Sequence, residues 1–194
     1  AEKMHLSANA LMRLERYDEA IALLSSWSTS SSWMHYARFN LGVALLRSDR
    51  LADGTRFLDA VGRINTADNE LLALRDKANL ALGFAWLQAG DAAAATPYLE
   101  RVRLNGSQSS RALLALGWAR AQEGKFEDAL TPWLELRDRN LLDAAVQESY
   151  LAVPYAFAKL GANGQAAEYY EQALASFETE QGRIDESIGR IRSG

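Results

Sequence analysis

The sequence predicts an all-α protein built from stacked helical hairpins. A segment that starts at Ala81, ALGFAWLQAGDAAAATPYLERV, recurs thirty-four residues later as ALGWARAQEGKFEDALTPWLEL. Hydrophobic residues make up 48% of the chain, and only 13 Gly and 3 Pro occur among its 194 residues. Because a period of about 20 to 50 residues is the signature of stacked supersecondary units, these observations predict a helical solenoid.

One pattern of small and large residues recurs five times along the chain. It consists of a small residue, a second small residue eleven or twelve positions later, and a large apolar residue four positions further on. Two small residues let paired helices approach, and the large residue fills the space one turn away. The five sets are Ala8, Ala20, Leu24; Gly42, Gly54, Leu58; Gly83, Ala94, Tyr98; Gly117, Ala129, Trp133; and Pro154, Ala166, Tyr170, with proline at the first site of the last set.

Turn residues divide the chain into five hairpins and a tail. Gly or Asp interrupts each hairpin once, in ERYDE, RSDRL, QAGDA, QEGKF and GANGQ. The predicted units are about 1–34, 35–70, 71–109, 110–146 and 147–180. Extra residues in NTADNELLALRDK predict either a lengthened helix or a longer loop. The serine-rich SSWSTSSSWMHY predicts an inter-repeat loop that ends in a serine N-cap before a helix near Trp33.

Three prolines fall where helices are predicted. TPYLE aligns with TPWLE at a shift of 35, which predicts that the turn of the third unit is one residue shorter than that of the fourth. Pro97 and Pro132 then occupy the same position of two second helices, and Pro154 lies inside a first helix. Since an interior proline costs about 3 kcal/mol, either packing tolerates a kink or these helices begin at the prolines.

The spacing resembles the tetratricopeptide repeat, in which a Leu-Gly pair is followed by Ala and then by a bulky residue within 34 residues. The resemblance covers residues 1 to about 180 and is closest in NLALGFAW and LLALGWAR. The closing Pro of the family pattern is missing throughout. The resemblance implies a right-handed superhelix of about five units, whose first helices line a concave groove that binds a peptide or helix of a partner protein.

The resemblance also implies which residues face that groove. They lie three positions before and one position after the small site of each unit. In this chain they are His5 and Asn9 in the first unit, then Phe39, Val43, Leu80, Phe84, Leu114, Trp118, Leu151 and Tyr155. Some family members hold a terminal carboxylate with Lys, Asn and Arg at these positions, which the residues here do not match. The sequence leaves open whether the groove is an exposed apolar surface or is filled by its own side chains.

The sequence predicts no catalytic residues, no cofactor and no metal site. It has no nucleophile signature, phosphate-binding loop or dinucleotide fingerprint, and it contains no Cys. Its two histidines, His5 and His35, have no matched set of further ligands nearby. We therefore expect a non-enzymatic protein-interaction module. The alternative is an accessory or regulatory domain of a larger enzyme or of an envelope or secretion assembly.

Charge and hydropathy argue against nucleic acid as a partner and against a membrane-spanning segment. A net charge of −4 argues against nucleic acid, so an RNA-binding helical repeat remains only a weak alternative. The sequence contains no run of about 18 apolar residues, so no membrane-spanning helix is predicted. A soluble protein of the cytoplasm or of the bacterial periplasm fits equally well, and homo-oligomerisation stays open. Because the chain begins AEKMHLS, we expect it to be a segment of a longer protein.

The tail, residues 181–194, carries isoleucines at helical spacing. Ile184, Ile188 and Ile191 recur at four and three residues, which predicts an amphipathic helix. We expect it to cap the fifth unit by packing on residues 155–174, since a solenoid needs its last apolar face covered. The alternatives are that it enters the groove in place of a ligand, or that it is the severed start of the next element.

Overall fold

The computed structural model describes residues 2–27 and 33–193, except the side chains of Glu2 and His5. Within these ranges the chain forms ten α-helices and no strand, which confirms the predicted all-α fold. The helices are α1 (Glu2–Arg13), α2 (Tyr17–Ser25), α3 (Met34–Arg47), α4 (Leu51–Gly62), α5 (Asn69–Gln88), α6 (Ala92–Leu99), α7 (Ser109–Gln122), α8 (Phe126–Arg137), α9 (Ala144–Lys159) and α10 (Asn163–Ser193).

Two sequence predictions fall on or beside the undescribed residues. The groove position predicted at His5 lies outside the described side chains. Most of the predicted serine loop, residues 28–32, lies outside the described ranges as well. The residue that directly precedes α3 is Trp33, and the serines of the predicted N-cap lie among the undescribed residues before it.

The chain divides into two compact units, residues 1–112 and 113–194. In the first unit, helices that are consecutive in the sequence pack on each other from α1 to α6, and their cores include Leu41, Leu45, Leu58 and Leu82. In the second unit, α9 packs against both α8 and α10 around a core that includes Trp133.

The turn inside every hairpin has the same backbone structure. Its central residue is in the left-handed region, seven positions after the small site. These residues are Glu15, Asp49, Gly90, Gly124 and Gly161, with φ of 57°, 58°, 78°, 75° and 76°. In all five turns the next residue donates its N–H to the carbonyl five positions earlier at 2.9 Å. This bond closes a Schellman motif, so the five interruptions read from the sequence are confirmed as helix-ending turns.

The extra residues before the third hairpin lengthen a helix. α5 has 20 residues, whereas α3 and α7 have 14 each. Asp68 begins α5 as its N-cap, because its carboxylate accepts hydrogen bonds from the backbone N–H groups of Glu70 and Leu71 at 2.7 and 3.1 Å. The lengthened-helix alternative is therefore the one that the chain adopts.

The predicted register of the third hairpin is wrong by one residue. Its turn comprises residues 89–91 and that of the fourth hairpin residues 123–125, so the two turns have equal length. Gly83 consequently faces Leu99, which is 2% exposed, and Tyr98 is only half-buried. The second small site is Ala95, which is fully buried. The similarity of TPYLE to TPWLE predicted the wrong register for the third hairpin. The turn length and the contact at Gly83 set the register instead.

The three prolines lie inside their helices. α6 begins five residues before Pro97, and α8 begins six residues before Pro132. Pro97 is exposed and Pro132 is buried, so the prediction that they share one position is wrong. Pro154 lies in the interior of α9 and is buried. The helices therefore do not begin at the prolines, and packing accommodates them.

The fifth hairpin departs from the spacing pattern. Tyr170, the expected large residue, is 46% exposed. The neighbouring Tyr169 instead stacks on Phe157 of α9, with ring centroids 5.1 Å apart. Pro154 takes the place of the glycine that the second, third and fourth hairpins carry at the first small site, and the large side chain of this hairpin packs from the adjacent position.

The tail is helical, as predicted, but it continues α10 instead of folding back onto the fifth hairpin. α10 runs for 31 residues without a break. No residue within it adopts a left-handed conformation, so nothing turns the chain. Ile184, Ile188 and Ile191 are 45%, 40% and 82% exposed. The prediction that these isoleucines pack on residues 155–174 is therefore wrong: the tail projects as the last part of α10.

Candidate functional site

Nine of the ten predicted groove residues have described side chains: Asn9 lies on α1, and the other eight lie on the first helices of the next four hairpins. Phe39 and Val43 are on α3, Leu80 and Phe84 on α5, Leu114 and Trp118 on α7, and Leu151 and Tyr155 on α9. Their burial differs widely, from Leu80 at 3% exposure to Leu151 at 54%. The structure thus separates residues that offer surface from those that support the helices.

In the first unit, Val43 and Phe84 line an open cleft of about 860 Å³. The cleft lies between the C-terminal halves of α3 and α5, and Leu46, Ala81 and Ala85 complete its apolar floor. Phe84 is the most exposed ring there, at 37%. These two of the predicted residues therefore come together on an accessible apolar surface.

Phe39 and Leu80 do not contribute to that surface. Phe39 is half-buried and packs against the core around Leu58 and Val61. Leu80 offers a partner no contact area, because α5 is buried on nearly all sides along residues 78–83. On each of α3 and α5, therefore, only one of the two positions that the resemblance implies lines the cleft.

Polar and charged groups surround the apolar floor of the cleft. Its edge carries Arg47, Asp49, Gln88 and Arg111. The Arg111 guanidinium lies over the ring of Phe84, 5.5 Å from its centroid. Within the described part of the chain, no ion pair joins either arginine to a carboxylate. The cleft thus combines an aromatic floor with cationic groups that can meet a ligand.

In the second unit the predicted aromatic residues pack on each other. Trp118 contacts Trp133 edge-on at 4.9 Å and Tyr155 at 5.9 Å between ring centroids. Phe126 meets the other side of Tyr155, also at 5.9 Å. The Trp118 Nε1 donates a hydrogen bond to Glu148 at 2.7 Å. These rings leave little room for a ligand side chain.

The question of an open or a filled groove therefore has a different answer in each unit. Around Phe84 the surface is open. Around Trp118 it is filled, because two tryptophans and Tyr155 occupy the space. Leu114 is half-buried against this cluster, and Leu151, one turn before Tyr155, is the exposed apolar side chain of the predicted set in this unit.

Sequence reasoning missed the charged edge of the cleft. Arg47 lies five residues after Gly42, and Arg111 lies six residues before Gly117, so both fall outside the two positions that the resemblance implies. Because charged side chains on helices are usually exposed to solvent, nothing in the sequence marked these two arginines as part of a binding site. Their spacing from the small sites is the feature that could have placed them near the first helices.

The described groups whose pKa clearly shifts do not line the cleft. Burial and a hydrogen bond with Glu70 raise the pKa of Tyr36 to about 12. Burial alone would raise the pKa of Asp59, but hydrogen bonds from Arg101 and Arg63 lower it on balance. Tyr36 and Asp59 interact with residues of other segments of the chain, and neither lines the cleft.

Comparison with known proteins shows to which family the chain belongs. The family model described as Tetratricopeptide repeat matches residues 5–64 and 80–140, more than half of the chain. The chain belongs to the tetratricopeptide repeat family. Tetratricopeptide repeats are generally protein-interaction modules and typically lack enzymatic activity. No curated protein matches the sequence.

Solved structures share the tetratricopeptide repeat fold at low sequence identity. MamA 41-end from Desulfovibrio magneticus RS-1 is 16% identical, with a TM-score of 0.69 over 92% of this chain and 95% of that one. MamA MSR-1 is 19% identical, with a TM-score of 0.64 over 92% and 95%. The TPR-like repeats of a Podosopora anserina kinesin light chain candidate are 15% identical, with a TM-score of 0.63 over 93% and 96%. These similarities show the fold.

Residues 2–27 and 33–193 contain no candidate for a membrane-spanning helix. None of the helices there combines the length and the hydropathy that crossing a bilayer requires.

Proposed function

We propose that this tetratricopeptide repeat chain is a non-enzymatic module that binds a peptide or helix of a partner protein along its first helices. The cleft in the first unit is the principal contact. One observation carries the proposal: Phe84 and Val43, at family groove positions, line an open cleft of about 860 Å³. An exposed aromatic ring on an apolar floor is the arrangement that dominates the binding energy of protein interfaces.

The chemistry of the cleft supports a protein segment as the ligand. An apolar side chain of the partner would cover Phe84 and remove it from water, which favours binding. Backbone N–H and C=O groups of the same segment would find hydrogen-bond partners at Gln88, Asp49 and Arg47 on the edge. Arg111 is already held over Phe84, so less rotamer entropy is lost when the ligand binds.

The other predicted groove residues take supporting roles in this proposal. Leu151, at 54% exposure, is an exposed apolar residue of the second unit considered by itself. Trp118 and Tyr155 form the packed aromatic surface beside it. Phe39, Leu80 and Leu114 hold the first helices in place and do not touch the ligand.

A comparison of two exposed-residue variants tests the proposal. The chain is used to capture proteins from cells of its source, and a captured protein is then titrated against wild type, Phe84→Ala and Leu104→Ala. Leu104 is 67% exposed and does not line the cleft, so it is the matched control. We expect Phe84→Ala to weaken binding by about tenfold or more, as loss of an aromatic anchor does, and Leu104→Ala to bind like wild type.

Equal affinities for Phe84→Ala and wild type would place the binding site elsewhere and overturn the proposal. Circular dichroism of both variants checks that the fold is kept, which the exposure of both side chains leads us to expect.

A further inference from the structure

The apolar residues of α10 follow a seven-residue repeat. From Tyr170 onwards they alternate at four and three positions: Tyr170, Leu174, Phe177, Gln181, Ile184, Ile188 and Ile191. A sustained spacing of 3.5 residues is typical of helices that wrap around another helix as a coiled coil. A single polar residue, Gln181, interrupts the stripe, and a lone polar residue in such a seam is a known device for setting its register.

One residue of this stripe, Phe177, has a partner in the fifth hairpin, whereas Tyr170 and Leu174 before it are 46% and 61% exposed. The ring of Phe177 packs against Tyr150 of α9, with centroids 5.8 Å apart. From residue 181 to residue 193 every side chain of α10 is exposed. Beyond Phe177 the exposed stripe consists of Gln181, Ile184, Ile188 and Ile191.

This projecting helix does not need a partner in order to form. Starting a new helix is the unfavourable step, and α10 has already started at Asn163 against α9. A short pairing of about two heptads, too weak to fold separate peptides, can therefore associate here because both strands of the coiled coil are helical in advance.

We propose that the segment 178–192 pairs with the same segment of a second copy of this chain as an antiparallel coiled coil. In this register Ile184 packs against Ile188 of the second copy, and Ile191 against Gln181 of the second copy. Each contact occurs twice by the two-fold symmetry of such a pair. The inference concerns the second unit and is independent of the cleft around Phe84.

The charges beside the stripe select the antiparallel direction. In a parallel pair, Glu180 would face Asp185 of the second copy, and like charges would repel. In the antiparallel pair, Glu178 faces Arg192 of the second copy, twice by symmetry. No ion pair engages Glu178 or Arg192 in the described chain. Asp185 approaches its own equivalent at the axis, which makes the dimer weaker than it would be with a neutral residue there.

A lipid surface fits the same stripe poorly. Helices that lie on membranes carry Lys and Arg on their polar face. The charges of residues 178–192 are mixed here: Glu178, Glu180, Asp185 and Glu186 are acidic, and Arg183, Arg190 and Arg192 are basic. The segment therefore has no excess of positive charge to attract anionic lipids. The charge pattern therefore favours a second copy, in which acidic and basic ends can pair.

Sedimentation equilibrium over a range of protein concentrations tests the proposal. We expect a monomer–dimer equilibrium in the wild type. Ile188→Glu should weaken dimerisation on the order of a hundredfold, because it buries two unpaired carboxylates per dimer. Glu186→Arg is the matched control, since residue 186 points away from the stripe, and it should leave the dimerisation constant within about twofold. A monomer at every concentration, or a dimer that Ile188→Glu does not weaken, overturns the proposal.

A charge exchange tests the direction of pairing. Arg192→Glu and Glu178→Arg should each weaken the dimer several-fold, and the double variant should regain most of the wild-type dimerisation constant. Failure of the double variant to recover contradicts antiparallel pairing. Flotation with vesicles of phosphatidylcholine and phosphatidylserine provides a further check. Binding that depends on Ile188, in a chain that stays monomeric, would assign the stripe to lipid instead.

Discussion

Gly117 on α7 faces the indole of Trp133 on α8 so closely that a Cβ at residue 117 would overlap the ring. Trp133 is fully buried, and its Nε1 donates a hydrogen bond to the Leu114 carbonyl at 3.2 Å. The tryptophan therefore occupies the space that the glycine leaves free. Gly42 and Leu58 are related in the same way in the second hairpin.

Filling that space should destabilise the protein. We expect Gly117→Ala to lower the free energy of unfolding by about 1–3 kcal/mol, because the new methyl group forces Trp133 out of its packed position. Urea denaturation measures the change. Gly182 is the matched control: it is helical, and nothing lies within 4 Å of a Cβ placed there, so Gly182→Ala should leave stability unchanged or raise it. Equal losses in both variants would contradict the packing argument.

The corrected register of the third hairpin predicts which of two neighbouring residues holds it together. Leu99→Ala should cost about 2–5 kcal/mol, because it opens a cavity at the contact with Gly83. Tyr98→Ala should cost less, since Tyr98 is half-buried and its ring also faces the exposed side of the helix near Arg101. Thermal or urea unfolding of the two variants compares them. A larger loss for Tyr98→Ala would restore the register read from TPYLE.

The turn of the first hairpin should be improved by glycine. Glu15 has a φ of 57°, a conformation that costs a residue with a Cβ about 1–2 kcal/mol. Glu15→Gly should therefore raise the free energy of unfolding by up to about 1 kcal/mol, after the greater chain entropy of glycine is subtracted.

The same substitution in a regular helix should have the opposite sign. Glu171 lies exposed within α10, where Glu171→Gly should destabilise by about 1 kcal/mol. If Glu15→Gly also destabilises, the left-handed conformation of the first turn is not a source of strain.

A buried ion pair ties the loop after α6 to α5. The Asp76 carboxylate is 1% exposed and accepts a hydrogen bond from the Arg103 Nε at 2.8 Å. Arg103→Met should cost about 3 kcal/mol or more, because it leaves an uncompensated buried charge. Asp76→Asn combined with Arg103→Met should cost clearly less than the two single changes added together. Additive losses in urea unfolding would show that the two groups do not interact.

Asp59 should make stability depend on pH in the acid range. Its pKa in the folded chain is lowered on balance, because hydrogen bonds from Arg101 and Arg63 outweigh burial. A carboxyl whose pKa is lower in the folded state stabilises the protein above its ordinary pKa of about 3.9, and the contribution is lost as the pH falls through the folded pKa.

Comparison of wild type with Asp59→Asn isolates this contribution. The difference in free energy of unfolding should be present at neutral pH and should shrink below about pH 4. Arg101→Met should show the same trend, since it removes one of the two donors. A difference that stays constant from neutral to acid pH would contradict the assignment.

Parts of the site could be read from the sequence, and parts could not. Val43 and Phe84 follow directly from the position of the small residues Gly42 and Gly83, because i+1 neighbours on similar helices point the same way. The burial of Leu80 could not be read, since it depends on how many neighbours surround α5. The contribution of Arg111 was also hidden, because its distance from Phe84 arises from two helices that are far apart in sequence.

The sequence by itself determined the helices, the five turns and the tetratricopeptide repeat family, because these depend on residues close together in the chain. Small residues, large residues and turn residues recur at spacings that only helical hairpins satisfy, and each spacing acts within one hairpin. The tertiary structure alone decided the register of Leu99, the filled aromatic surface around Trp118, the open cleft at Phe84 and the projecting end of α10. These features depend on volume and contact between separate elements: the rings of Trp118, Trp133 and Tyr155 pack on one another, Leu99 fills the space beside Gly83, and α10, in which no residue adopts a left-handed conformation, continues as one helix.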